Sequence, residues 1–179
     1  PKKDADILVD CKVTLEEVYK GCTKKRKITR TINENGHSRQ EEKVVDIPIP
    51  AGIKEGSKIR FEGYGDVEPG HIPADIVFVV KYKPHPLFTV RGSDLEVTIT
   101  ITLLQSLTGV DISLPHPSGR EFRHHINDIV NNDTCIRVPK MGMPIRKLGT
   151  NGDLLIRFHI QFPVYLNSEQ KSQLKDVFQ

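Results

Sequence analysis

The chain has 179 residues and a net charge of +3, with 37% apolar and 27% charged residues. It is too apolar and too evenly charged for a disordered tail, and the weak net charge neither demands nor excludes an acidic partner. No apolar run approaches the roughly 18 to 20 residues needed to cross a bilayer, and Pro1-Lys2-Lys3-Asp4 lacks the apolar stretch of a secretory signal.

Alternating Ile7, Val9, Cys11, Val13 and Leu15 predict a half-buried strand. LEEVYKG follows, long enough for one or two helical turns and closed by Gly21. Further strands are predicted over 26–32, 42–49, 58–62 and 75–82, parted by turns such as Asn35-Gly36, Pro50-Ala51-Gly52 and Glu55-Gly56. Pro84-His85-Pro86 then predicts an extended linker. The same plan starts again with Leu95, Val97, Ile99, Ile101 and Leu103, followed by LLQSLTG closed by Gly109. Strands over 111–114, 120–125, 134–138 and 154–162 come next. Asn167 can cap a last helix, with Gln170 three residues on and Leu174, Val177 and Phe178 on one face.

The two halves are copies. Asp6, Val9, Val13, Thr14, Leu15 and Gly21 match Asp94, Val97, Ile101, Thr102, Leu103 and Gly109, each 88 positions on. Later, Asp75 matches Asp153 only 78 positions on, so the first copy carries about ten extra residues in its middle. Short strands with frequent Gly and Pro turns predict a mainly β protein: two tandem, similar β-sandwich domains, each with a short helix. The expected boundaries are 6–84, 86–165 and a terminal helix over 166–179. Each unit has about 80 residues, enough for a small core without staples.

Three cysteines, Cys11, Cys22 and Cys135, are an odd number with no short paired spacing. This argues against a disulfide framework or zinc site and fits a reducing compartment, hence a cytoplasmic setting. His124-His125, Cys135 and Asp128 hold atoms suited to hydrolysis, but adjacent histidines on a strand face opposite ways. No nucleophile elbow, phosphate loop or metal-ligand spacing accompanies them, so neither an enzyme nor a cofactor is expected. A nucleic-acid module would rest on the basic run Lys24-Lys25-Arg26-Lys27, but interleaved aromatic platforms and a recognition helix are missing. A generic scaffold or adhesion sandwich is a further alternative.

Four stretches in order resemble the C-terminal region of the DnaJ family of heat-shock co-chaperones: VTLEEVYKGCTKKRKI, IPAGIKEGSKIRFEGYGD, PADIVFVVKYKPHPLFTVRGSDL and GMPIRKLGTNGDLLIRFHIQFP. The resemblance runs from Asp6 to Phe178. One kind of family member inserts four CxxCxGxG motifs after the second strand of the first copy. Here that place holds only the polar hairpin over 33–40, so the chain resembles the zinc-free class B. The J-domain with its His-Pro-Asp signature is not in this sequence; His85-Pro86-Leu87 and His116-Pro117-Ser118 differ from it.

The resemblance implies a shallow apolar groove for unfolded client peptide, lined by Val9, Cys11, Ile28 and Phe78. Arg26 departs from the family there, where Phe or Met is frequent, and makes the groove more polar. The same four apolar residues could instead be core. The resemblance further implies that Lys24 and Lys27 hold the acidic Glu-Glu-Val-Asp tail of the seventy-kilodalton heat-shock chaperone. Alternation sends Lys24 and Arg26 to one face and Lys25 and Lys27 to the other, unless a turn at Lys24 resets the phase. A basic run on a strand can also be simply a solvated face that discourages aggregation. Leu174, Val177 and Phe178 would pair two subunits into a homodimer, or fold the tail back on its own domain.

Overall fold

The computed structural model describes all 179 residues. In chain order the elements are β1 (Lys2–Lys3), β2 (Ile7–Val13), α1 (Leu15–Lys20), β3 (Cys22–Glu34), β4 (His37–Ile49), β5 (Lys58–Phe61), β6 (His71–Ile72) and β7 (Ile76–Tyr82). Then follow β8 (Phe88–Arg91), β9 (Asp94–Thr102), α2 (Leu103–Thr108), β10 (Val110–Pro115), β11 (Glu121–Ile126), β12 (Cys135–Val138), β13 (Pro144–Ile145), β14 (Thr150–Asn151), β15 (Leu154–Gln161) and α3 (Ser168–Val177). No strand of one half pairs with a strand of the other.

In each half the first long strand lies parallel to the last: β2 beside β7, β9 beside β15. The first half adds β5 to make the sheet β2-β7-β5 and sets the β3-β4 ribbon beside it; the second makes β12-β15-β9-β8 with the ribbon β10-β11. Alternation on β2 puts Cys11 and Val13 inside and Lys12 in solvent. β7 is buried on both faces, from Ile76 to Phe78 and again at Val80, as a central strand beside a parallel neighbour should be. The ten extra residues of the first copy lengthen its ribbon: β3 and β4 have 13 residues each, β10 and β11 have 6.

The helices form because each begins with a reciprocal cap. The Thr14 hydroxyl accepts from Glu17 N–H at 3.1 Å, and the Glu17 carboxylate accepts from Thr14 N–H at 2.9 Å. Thr102 and Gln105 repeat the arrangement in α2. Gly21 (φ 76°) ends α1, and a Cβ there would lie 2.9 Å from the Ala51 nitrogen. Leu15 and Leu103, which close the predicted alternations and also open the predicted helical stretches, are the first helical residues.

A second repeated device anchors the strand starts. Arg60 reaches Asp6 at 2.9 Å and Asp75 at 2.7 Å; Arg137 reaches Asp94 at 3.7 Å and Asp153 at 2.7 Å. In both copies one arginine clips the start of the first long strand to that of the last. Asp75 is buried and also accepts from Gly63 N–H at 2.9 Å and pairs with Lys3 at 3.0 Å. The Gly63 amide first, then Lys3 and Arg60, hold its carboxyl down at about 2.

Several strands depart from expectation. β3 starts four residues before the expected 26, and β4 starts at His37, five before the expected 42. The polar stretch over 33–40 is thus mostly strand, with only Asn35 (φ 50°) and Gly36 (φ 75°) in the turn. β8, which pairs antiparallel with β9, and the short pairs β1-β6 and β13-β14 were not foreseen.

The cores of the two halves also join: 25 buried apolar residues, from Cys11 to Phe158, form one cluster. At the junction Glu16 meets His85 at 2.9 Å, and the Tyr19 hydroxyl accepts from Asn151 at 3.0 Å. Lys54 donates to the Gly92 carbonyl at 2.9 Å, and Gly52 packs so closely that a Cβ would lie 2.4 Å from the Pro144 oxygen. His85 is no free linker residue. Its Nδ1 accepts from the amides of Leu87 and Phe88 at 3.0 and 3.2 Å, which leaves Nε2–H to donate to Glu16.

Candidate functional site

β2, β3, β4 and β5 of the first half each have one margin without a partner strand along most of its length. β2 pairs only with β7, and β3 only with β4. On β2, Ile7 N–H bonds Asp75 and the Val13 carbonyl accepts from Lys83, so odd residues face β7 and the main chain of Leu8, Asp10 and Lys12 faces outward. On β3 the far end shows the phase: Asn33 N–H donates to the Val67 carbonyl and Thr31 C=O accepts from Val67 N–H, away from β4. Odd residues therefore face the free margin, and Thr23, Lys25, Lys27 and Thr29 present their amides and carbonyls there without a strand partner.

β3 is continuous from Cys22, so no turn resets its phase. Its inner face carries Lys24, Arg26 and Ile28, opposite Ile47, Val45 and Lys43 on β4. Its outer face carries Lys25 and Lys27. Lys24 pairs with Glu17 at 2.6 Å, and Lys27 pairs with Glu42 at 2.9 Å in solvent. The two lysines expected to act together thus sit on opposite faces, each already beside a carboxylate. Burial raises the Glu17 carboxyl, but the bonds from Lys24 and Thr14 outweigh it and hold it below its ordinary range. Arg26 is exposed and has no ion-pair or hydrogen-bond partner.

Of the four expected groove residues only Val9 is exposed, at 38%, beside Ile7 at 44%. Cys11 (0%) and Phe78 (2%) are covered, Ile28 (8%) retains a small exposed area, and the Phe78 ring meets Phe61 edge-on at 5.6 Å. Cys11 and Phe78 lie covered because inner-face burial deepens along β2 and β7 lies at the sheet centre. Ile7 shares the inner face of β2 with Val9 by the same alternation.

At the other end of the molecule α3 has no buried residue, and Asn167 and Gln170 cap it reciprocally. Leu174 lines an apolar cavity of about 530 Å³ with Leu104, Leu107, Phe162 and Val164, whereas Val177 and Phe178 stand out in solvent. No group of three or more His, Cys, Asp or Glu side chains is placed to hold a metal ion. No helix is long and apolar enough to cross a membrane. His125 bonds Asp111 and Asn127, while His124 stacks on Phe122; the pair that resembled a catalytic centre points to two separate surroundings.

The chain is a mainly β structure with several sheets, short capped helices, a terminal helix and open strand margins. The sequence pattern described as "DnaJ C terminal domain" matches residues 7–163, and the chain belongs to that family. It is 39% identical over 176 residues to DnaJ homolog subfamily B member 5 of Homo sapiens, covering 97% of this chain and 51% of the relative. It is 39% identical over 178 residues to DnaJ protein homolog 1 of Drosophila melanogaster (98% and 53%) and 38% over 177 to human DnaJ homolog subfamily B member 13 (97% and 56%). The chain spans about half the length of these curated relatives.

Proposed function

We propose that this chain is the client-binding part of a J-domain co-chaperone: it holds unfolded polypeptide and docks the acidic tail of a seventy-kilodalton heat-shock chaperone. The observation that carries the reading is the free margin of β3 over Thr23–Thr29. It offers unpaired main-chain groups among the cations Lys24 to Lys27, while Ile7 and Val9 are exposed apolar residues on β2. A peptide added there as a strand gains main-chain bonds, and its side chains reach both faces. Because such a strand touches both faces, Lys24 and Lys27 can each meet a carboxylate despite pointing apart. Burying one leucine-sized side chain yields about 1.5–3 kcal/mol before ordering costs, so one or two anchors make a releasable grip.

Titration of a fluorescent Glu-Glu-Val-Asp peptide tests the reading. Binding should weaken as salt rises and fall further on Lys24→Ala with Lys27→Ala. Undiminished binding by the double variant would remove tail docking. Units over 6–84 and 86–165 with α3 as a homodimer contact complete the proposal, Val177 and Phe178 being the exposed anchors. Sedimentation beside a chain ending at Leu166 should show loss of the dimer; two equal monomers would refute that part.

A further inference from the structure

We infer that Arg26 makes this margin selective for peptides that carry a carboxylate two residues from an apolar side chain. The inference rests on the strand-addition reading above. A strand pairing with β3 places its side chains in register with those of β3, and residues directly opposite share a face. Inner-face positions of the added strand therefore lie beside Lys24, Arg26 and Ile28 in turn. Ile28, 8% exposed, is the apolar residue next to Arg26 on that face. Lys24 is engaged by Glu17 at 2.6 Å, and Lys43 lies over the Tyr64 ring at 4.7 Å. Arg30, further along the same face, is bound to Glu41 at 3.1 Å and to the Gly63 carbonyl at 3.0 Å.

Arg26 alone on that face has no partner, and its β4 neighbour across the ribbon is the buried Val45, which can offer none. A guanidinium with five donors and an apolar stem is suited to a carboxylate set on an otherwise apolar strand. Residues of the added strand separated by two positions fall beside Arg26 and Ile28, which sets the spacing. Polypeptide with that acid-and-apolar alternation is the substrate class. Uniformly apolar or basic segments are the ones it disfavours.

The test is fluorescence anisotropy with three labelled peptides that differ at one position two residues from a leucine, holding Glu, Gln or Lys. The protein is compared with Arg26→Gln, Arg26→Glu and, as control, Lys25→Gln. The Glu peptide should bind the unaltered chain about two- to fivefold more tightly than the Gln peptide, the range of an exposed ion pair. Arg26→Gln should erase that preference, Arg26→Glu should turn it toward Lys, and Lys25→Gln should leave it in place. Equal binding of the Glu and Gln peptides, or a preference that survives Arg26→Gln, overturns the selectivity while leaving strand addition standing. Failure of all three peptides to bind overturns both.

Discussion

Glu17→Gln separates the helix cap from the charge that occupies Lys24. Glu17 accepts from Thr14 N–H at 2.9 Å and pairs with Lys24 at 2.6 Å. Glutamine keeps the first bond, as Gln105 does for Thr102 N–H at 2.9 Å in the second copy, and loses the second. A docking carboxylate must now displace Glu17; in the variant Lys24 is free and the local negative charge is gone. With both side chains about three-quarters covered, the pair sits near the top of the range for surface pairs, about 1 kcal/mol. The variant should lose no more than that in a denaturant melt. Its dissociation constant for the Glu-Glu-Val-Asp peptide should fall by about two- to fivefold at low salt, the gap closing as salt rises. The Cys22 thiol supplies a second readout. Burial, then the Glu17 charge, raises its pKa, so the variant should react faster with a thiol reagent at fixed pH. Unchanged or weaker peptide binding would show that Glu17 orients Lys24 rather than competing for it.

Two further predictions concern the frame that presents the margin. Asp75, held at about 2, is charged across the neutral range; since its folded pKa is depressed, its contribution is full above about pH 4 and is lost as pH falls toward 2. Thermal melts should drop more steeply over that window for the unaltered chain than for Asp75→Asn. Gly52→Ala places a Cβ 2.4 Å from the Pro144 oxygen at φ 79°, whereas Gly36→Ala at φ 75° meets nothing within 4 Å. The second should cost about 1 kcal/mol for the left-handed backbone alone, and the first clearly more. Equal losses would mean that the halves are not packed as described.

Much of this architecture is legible in the residues. Period-two alternation marks β2 and β9, Gly21 and Gly109 mark the helix ends, and Asn167 with Gln170 marks the start of α3. The Asp6/Asp94 and Asp75/Asp153 matches were also visible, but not Arg60 and Arg137 between them, because that contact joins positions far apart in the chain. The beginning of β3 hid for a different reason. Its inner positions Lys24 and Arg26 are charged, so no apolar alternation reports a strand there, and β4 from His37 to Val44 has no buried residue. The burial of Phe78 was hidden because a continuous apolar run cannot say which faces of a strand are covered; β7 is covered on both. Composition could not reveal an unpaired margin at all, since openness depends on which strand fails to find a neighbour.

Amide hydrogen exchange at single-residue resolution, with and without a bound peptide, tests that margin most directly. Peptide should slow exchange at Lys25 and Lys27, whose amides face outward, and leave Arg26 and Ile28, already bonded to β4, nearly unchanged. Slowing confined to Leu8, Asp10 and Lys12, or absent from both strands, would contradict the assignment of β3 as the strand that takes the peptide.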